Sequence, residues 1–250
     1  MLIHELGHAC TALSFGWRLK KIEILPFGGV AEVDEHGNKP IHEEALVLIA
    51  GPFMNMIMIG FAYVCISLGI WQEAFAYQFI EYNLIILFFN LLPIWPLDGG
   101  KLMQLLFSMF IPFKKAIKHS LLVSGGCFFI YVICVYSFYP LYIYLWIVGT
   151  FLLIAQWLEW KQAPFQYQRF LLDRLHKTQN EELKYDVITI AIKPQLLIKD
   201  ALFRMFRHKT HYFCSINRKG QVNHVVHEAE MLEQYFIHKK GYCTVRDTFG

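Results

Sequence analysis

The sequence predicts a polytopic α-helical membrane protein with a small α/β cytoplasmic domain at its C-terminal end. Of its 250 residues, 56 % are hydrophobic, and the mean hydropathy of +0.36 is too high for an ordinary soluble domain. Residues 161–250 carry 15 Lys and Arg against 9 Asp and Glu, whereas residues 1–160 carry 8 against 11. The composition therefore changes near residue 160, from a membrane part to a basic soluble part.

The first elements follow from the N-terminal patterns. Residues 1–16 suit the end of a helix. Residues 18–35, with alternating apolar residues followed by Pro and Gly, suit a short hairpin or bent strand. Residues 45–70 contain no Asp, Glu, Lys or Arg and exceed the roughly 20 residues that a spanning helix needs, so a membrane span is predicted there.

The next apolar segments predict three further spans and one interruption. A span is expected at 74–92. After it, the apolar pattern is interrupted by the proline- and glycine-rich residues 93–100 and resumes to about residue 113. Residues 119–158 lack Asp, Glu, Lys and Arg, and are long enough for two spans that turn around residues 137–140.

The basic residues between these segments predict an orientation. By the positive-inside rule, loops rich in Lys and Arg face the cytoplasm. The loops at 71–81 and 137–142 contain no Lys or Arg and are placed on the other side. The C-terminal tail is therefore predicted to be cytoplasmic, on the same side as Arg18, Lys20, Lys21, Lys101, Lys114, Lys115, Lys118 and Lys161.

The C-terminal part alternates between strand-like and helix-like patterns. Strands are expected at 187–192, 212–216 and 221–226, and helices at 198–207 and 228–236. The predicted organisation is a membrane domain over residues 1–160, a linker over 161–184 and an α/β domain over 185–250. His208 with His211, and His224 with His227, have ligand-like spacing, but surface histidines are the expected interpretation.

The sequence His4-Glu5-Leu6-Gly7-His8 carries the strongest chemical signal. On a helix, residues i and i+4 share one face, so His4 and His8 can bind one metal ion. Zinc lowers the pKa of bound water to about 7, and Glu5 can then accept a proton from that water. The motif alone is moderately specific, because the same spacing arises by chance on amphipathic helices.

Asp98 is the predicted third metal ligand. It follows the proline-rich interruption, where irregular backbone at membrane depth must line a cavity and a carboxylate needs a partner. Two histidines and one carboxylate leave a fourth zinc position open, as a catalytic site requires. The alternative is that Asp98 only caps the following helix.

Asn90 and Asn55 are polar residues within apolar segments. Hydrogen bonding between helices could explain either of them. A role near the substrate or the interrupted segment is expected of Asn90 rather than of Asn55.

Three motifs together resemble the site-2 protease family of intramembrane zinc metalloproteases. H-E-L-G-H, G-P-x-x-N at residues 51–55 and N-x-x-P-x-x-P-x-D-G at residues 90–99 occur in that family's order, and the resemblance covers most of residues 1–160. It implies a zinc-dependent endopeptidase acting in or near a substrate's membrane segment. The implied site residues are His4, His8 and Asp98 for Zn²⁺, Glu5 for water activation and Asn90 for substrate handling.

The sequence Leu-Pro-Phe-Gly-Gly at residues 25–29, with the small C-terminal domain, is similar to the sporulation-type branch of that family. This branch processes a membrane-associated pro-sigma factor, so the resemblance implies such a substrate, together with inhibitory membrane partners. The family carries further membrane helix before its histidine motif. Since His4 follows only three residues here, the chain is expected to be shortened at its N-terminus.

The C-terminal order of strand, helix, strand, strand and helix, with a turn at residues 217–220, resembles a single cystathionine-β-synthase-type module. Such modules usually pair and often bind adenine nucleotides. The resemblance therefore implies an adenine nucleotide and a homo-oligomer formed through this domain. No motif for nucleic-acid binding is found.

Two other functions stay open on the sequence. A metal carrier would use the same histidine and aspartate ligands but would not need Glu5. A catalytically silent membrane scaffold would bind partners through the C-terminal domain, although the intact ligand set argues against it.

Overall fold

The computed structural model describes residues 1–17, 19–25, 28–33, 39–179, 186–216 and 222–249. The described chain is mostly helical, with a small three-stranded sheet in its C-terminal part. It divides into two compact units, the first formed by residues 1–105 and 120–161 and the second by residues 106–119 and 162–250.

The helices and strands up to the end of the membrane part largely follow the predicted segments. They are α1 (Leu2–Ser14), β1 (Leu19–Leu25), β2 (Gly28–Val33), α2 (Ile41–Ser67), α3 (Glu73–Asn90), α4 (Asp98–Phe110), α5 (Phe113–Phe138) and α6 (Ile143–Gln179). The predicted interruption is confirmed between α3 and α4, and the predicted turn between α5 and α6.

Three of the described helices are long and apolar enough to cross a membrane: α2, α5 and α6 up to Thr178. The predicted spans at 45–70 and within 119–158 are therefore confirmed by length and composition. Helix α3, also expected as a span, is not among these three, and its crossing stays a prediction. Large apolar side chains of α2 such as Phe53, Met56 and Phe61 are exposed, as lipid-facing residues are.

Helices α1 and α2 pack closely because a glycine lies between them. The buried face of α1 is formed by His4, Gly7, His8, Ala9 and Ala12. A Cβ at Gly7 would lie 2.8 Å from the carbonyl oxygen of Ala50 and 2.6 Å from Met54 Cγ. The absence of a side chain at Gly7 thus lets the α1 backbone approach α2 and carries the two histidines onto it.

Strands β1 and β2 pair antiparallel, which confirms the expected hairpin over residues 19–25 and 28–33; the rest of the expected range 18–35 lies outside the described residues. The register pairs Ile22 with Ala31 and Ile24 with Gly29. Both strands lie against α1. The hairpin therefore belongs to the same unit as the histidine motif.

The segment between α3 and α4 packs against the first turn of α4 through Gly99 and Gly100. A Cβ at Gly100 would lie 2.8 Å from the backbone nitrogen of Trp95, and one at Gly99 would overlap the carbonyl group of Leu91. Glycine is needed at both positions, because any side chain would push the segment away from the start of the helix.

The second unit contains the three-stranded sheet. Its elements are β3 (Asp186–Ile192), α7 (Ile198–Leu202), β4 (Lys209–Ile216), β5 (Val222–His227), α8 (Glu228–Phe236) and α9 (Val245–Phe249). Strand β4 is central, parallel to β3 and antiparallel to β5. The predicted strands and the helix at 228–236 are confirmed, whereas the turn at 217–220 lies outside the described residues.

Two expectations for this unit are wrong. The helix expected over 198–207 ends at Leu202, and the following backbone turns so that the Met205 carbonyl accepts the N–H of Phe113 at 3.0 Å. His211 is not on the surface but fully buried against Glu228.

Part of the expected linker, residues 161–179, lies within α6. The division of the chain at residue 160 stays a prediction.

Candidate metal centre

His4 and His8 of α1 and Asp98 at the start of α4 converge on one point. The two Nε2 atoms lie 3.2 Å apart, and Asp98 Oδ2 lies 3.1 Å from His4 Nε2 and 3.0 Å from His8 Nε2. All three side chains are buried. The structure therefore brings together the three residues that the sequence singled out as metal ligands.

The donor atoms of this cluster fit a zinc ion. Tetrahedral zinc with ligand bonds of about 2.0–2.2 Å places its ligand atoms roughly 3.3–3.5 Å apart. The separations of 3.0–3.2 Å between the three donor atoms need only a slight widening to reach that geometry. A buried carboxylate oxygen that faces two imidazole nitrogens is also a donor set that favours a cation.

The two carboxylate oxygens of Asp98 have different neighbours. Oδ2 faces the two histidines, while Oδ1 lies 4.0 Å from Nζ of Lys101, one turn further along α4. The carboxylate is thus held between the histidine pair and a cation. This arrangement favours a ligand role for Asp98 over the alternative of a simple helix cap.

Glu5 follows His4 on α1 and is half-buried beside the cluster. Its carboxylate interacts electrostatically with both histidines, with Asp98 and with Lys101. A carboxylate in this place can exchange a proton with a molecule held at the point where the three donor atoms meet.

Residues of helix α2 contact both histidines, although the sequence did not predict them to belong to the metal site. The Val47 carbonyl accepts a hydrogen bond from His8 Nδ1 at 2.7 Å, and Asn55 Nδ2 lies 3.1 Å from His4 Nδ1. Between them, a Cβ on Gly51 would lie 2.8 Å from His4 Nε2 and would overlap the ring of His8. The G-P-x-x-N motif contained the signal for Gly51 and Asn55, but no sequence signal pointed to a backbone carbonyl.

Asn90, predicted to contact substrate, is the last residue of α3 and is buried. Its Nδ2 donates a hydrogen bond to the Ile86 carbonyl at 3.0 Å, within its own helix. This bond gives Asn90 a local structural role, and its contact with substrate stays a prediction.

Comparison with known proteins agrees with this geometry. The sequence profile of peptidase family M50 matches residues 1–79 and 67–133. The chain is 39 % identical over 246 residues to Stage IV sporulation protein FB of Bacillus subtilis, an alignment that covers 96 % of this chain and 82 % of that protein. The chain belongs to peptidase family M50. The resemblance to site-2 proteases is thereby confirmed.

Two comparisons with Methanocaldococcus jannaschii, one of sequence and one of structure, extend this result. A zinc metalloprotease of Methanocaldococcus jannaschii is 34 % identical over 122 residues, which is 47 % of this chain and 35 % of that protein. The solved structure of the site-2 protease from the same organism superposes with a TM-score of 0.51 at 26 % identity, covering 63 % of this chain and 72 % of that one. This M50 peptidase is therefore an integral membrane metalloendopeptidase with a site-2 protease fold.

Proposed function

We propose that this M50 peptidase is a zinc-dependent intramembrane endopeptidase in which His4, His8 and Asp98 hold the metal. The observation that carries the assignment is the convergence of their three donor atoms within 3.2 Å of one another in a buried place. Bound there, Zn²⁺ supplies Lewis acidity toward a water molecule and the scissile carbonyl. Three protein ligands leave the open position that this chemistry needs.

Glu5 is the proposed general base and acid. Its carboxylate would accept a proton from the attacking water and later pass that proton to the leaving amine. Half-burial beside the cluster keeps Glu5 accessible to substrate. Lys101, 4.0 Å from Asp98 Oδ1, balances the negative charge of the ligand carboxylate.

The hairpin is the proposed contact for an extended substrate. Peptide groups of a membrane helix are engaged in hydrogen bonds within that helix, so the substrate must unwind before cleavage. Strands β1 and β2 form a two-stranded sheet next to α1. An open strand edge can pair with an unwound segment through main-chain hydrogen bonds, with Asn90 as a further contact. Unchanged cleavage after proline substitutions across Ile24–Val33 would remove the hairpin from this role.

The proposed substrate is a membrane-associated pro-sigma factor. Support comes from the 39 % identity to a sporulation protein along 96 % of this chain. A substrate attached to the membrane would place its scissile segment at the depth of the buried cluster. We also propose that membrane proteins bind this peptidase and inhibit it.

The C-terminal domain is proposed to be a cystathionine-β-synthase-type module on the cytoplasmic side. The order β3, α7, β4, β5, α8 and the basic loops support this assignment. An adenine nucleotide as ligand, and pairing of two chains through this domain, follow from that resemblance. Equilibrium dialysis of the purified full chain against labelled ATP, with its mass measured in detergent, tests both.

The decisive experiment co-expresses this chain with a tethered pro-sigma-type substrate and scores cleavage by gel mobility. The variants are Glu5→Gln and Asp98→Asn, and Glu81→Gln serves as control because Glu81 is exposed on α3. The proposal expects cleavage by the parent and the control only. Cleavage by Glu5→Gln would overturn the mechanism. A parent that binds zinc but cleaves nothing would favour the metal carrier, and one that does neither would favour the scaffold.

A further inference from the structure

Three residues of α2 lie one above another and face the two histidines. Val47, Gly51 and Asn55 recur every fourth residue, so they share one face of the helix. All three are buried, and Asn55 is only 2 % exposed. Val47 and Asn55 contact the Nδ1 atoms, on the side of each ring away from the metal-facing Nε2, whereas Gly51 lies beside the Nε2 atoms.

The Nδ1 atom of each ring decides what its Nε2 atom can do. A neutral imidazole carries one proton, so Nε2 offers a lone pair only when Nδ1 holds that proton. A buried Nδ1–H in turn requires a hydrogen-bond acceptor. His8 has such an acceptor in the Val47 carbonyl, at 2.7 Å.

His4 has no backbone acceptor in the corresponding place among the described contacts; Asn55 Nδ2 lies there instead, 3.1 Å from His4 Nδ1. The structure places the amide nitrogen beside Nδ1, and a half-turn of the amide group brings the oxygen to that place instead. Only the oxygen accepts the Nδ1 proton, and only then does Nε2 of His4 keep a lone pair. The ligand state of His4 thus depends on a side chain, whereas that of His8 depends on the main chain.

We propose that Asn55 is a positioning residue whose amide, turned so that Oδ1 faces His4, accepts the Nδ1 proton of His4 and thereby holds Nε2 of His4 ready to bind Zn²⁺. This inference rests on the proposed zinc site. Asn55 contacts neither the metal nor the substrate in this role. Gly51 belongs to the same face of α2, because its missing side chain leaves room for the two rings to stand against that helix.

The test measures zinc affinity of the full chain in detergent by competition with a chromophoric chelator. Asn55→Leu removes the acceptor at similar volume, and Asn55→Asp restores an acceptor that cannot donate. Asn83→Leu is the matched control, since Asn83 is a buried asparagine whose Nδ2 donates to the Phe79 carbonyl of its own helix. Asn55→Leu is expected to weaken zinc binding about 10–100-fold, as other losses of such partners do. Asn55→Asp and Asn83→Leu are expected to bind close to the parent.

The outcomes separate this inference from the proposed function. If the parent binds no zinc, or if Asp98→Asn binds it equally well, the proposed zinc site is wrong. If the parent site behaves as proposed and Asn55→Leu binds like the parent, the inference about Asn55 is wrong. Equal weakening in Asn55→Leu and Asn55→Asp would reduce Asn55 to a packing residue. Where Asn55→Leu does not accumulate, Asn55→Asp against Asn55→Ala provides the same comparison.

Discussion

The backbone N–H of Trp95 donates a hydrogen bond to the hydroxyl oxygen of Ser124 at 2.8 Å. Trp95 belongs to the irregular segment three residues before Asp98, and Ser124 is a fully buried residue of α5. Gln156 of α6 donates to the same hydroxyl oxygen at 2.7 Å. Irregular backbone at membrane depth needs hydrogen-bond partners within the protein. Helices α5 and α6 provide such a partner, the Ser124 hydroxyl, for the segment that precedes the proposed third metal ligand.

Replacing Ser124 by alanine is expected to loosen that segment. The Trp95 N–H would lose its acceptor, at a cost of about 1–3 kcal/mol. We expect a lower unfolding temperature in detergent together with reduced zinc occupancy. Ser67→Ala is the control, because Ser67 is an exposed residue whose hydroxyl bonds within α2. If Ser124→Ala and Ser67→Ala unfold at the same temperature, the hydrogen bond between Trp95 and Ser124 does not contribute to the stability of the fold.

Alanine at position 51 is expected to abolish zinc binding. The added methyl group would lie 2.8 Å from His4 Nε2 and overlap the His8 ring, so at least one ring must leave its position. Gly60→Ala, on the same helix, meets nothing within 4 Å and should fold and bind zinc like the parent. Zinc content by elemental analysis compares the two variants. Equal zinc in both would mean that the rings accommodate a side chain on α2.

Replacing Asp98 by asparagine is expected to weaken zinc binding and abolish cleavage while leaving the fold intact. The amide keeps the volume of the side chain but removes its charge from a place between two histidines and Lys101. Zinc content and cleavage are measured together, with gel filtration in detergent as the check on folding. A variant that retains zinc and activity would exclude Asp98 as a ligand.

The second unit is expected to lose stability in mildly acidic solution because of His211. Its Nε2 accepts the Phe206 N–H at 2.9 Å and its Nδ1 lies 2.6 Å from Glu228, so the folded ring is neutral. Burial holds the pKa of His211 below its ordinary value, assisted by the charges of Arg174 and Lys209 and opposed by that of Glu228. Below about pH 6.5 the unfolded chain binds a proton that the folded ring does not, so stability falls as pH falls.

Amide hydrogen exchange of the full chain at pH 7.5 and 5.5, corrected for the intrinsic rates, measures this effect in strands β4 and β5. We expect faster opening at pH 5.5 in the parent and in His224→Gln, since His224 is exposed. His211→Asn retains a donor toward Glu228 without a titrating ring and should lose most of the pH dependence. The same opening rate at both pH values in the parent would contradict the prediction.

Local patterns sufficed for much of the fold and for the identity of the candidate ligands. His4 and His8 are separated by about one turn of helix, so their shared face is a local property. The lengths of the apolar runs predict the lengths of helices α2, α5 and α6. Asp98 was predictable because a carboxylate after a proline-rich break in a membrane segment needs a partner. The strands of the second unit followed from alternation and turn residues.

What only the tertiary structure decided concerns the partners of those groups. A backbone carbonyl such as that of Val47 leaves no mark in the sequence, and the contact of Asn55 with His4 depends on which face of α2 packs on α1. The sequence predicted a surface position for His211, whereas the structure pairs it with Glu228. This contact joins strand β4 to the start of α8, so no local sequence pattern indicates it. Sequence periodicity determines which residues share a face, but only packing determines what that face meets, because contacts between distant segments depend on the whole fold.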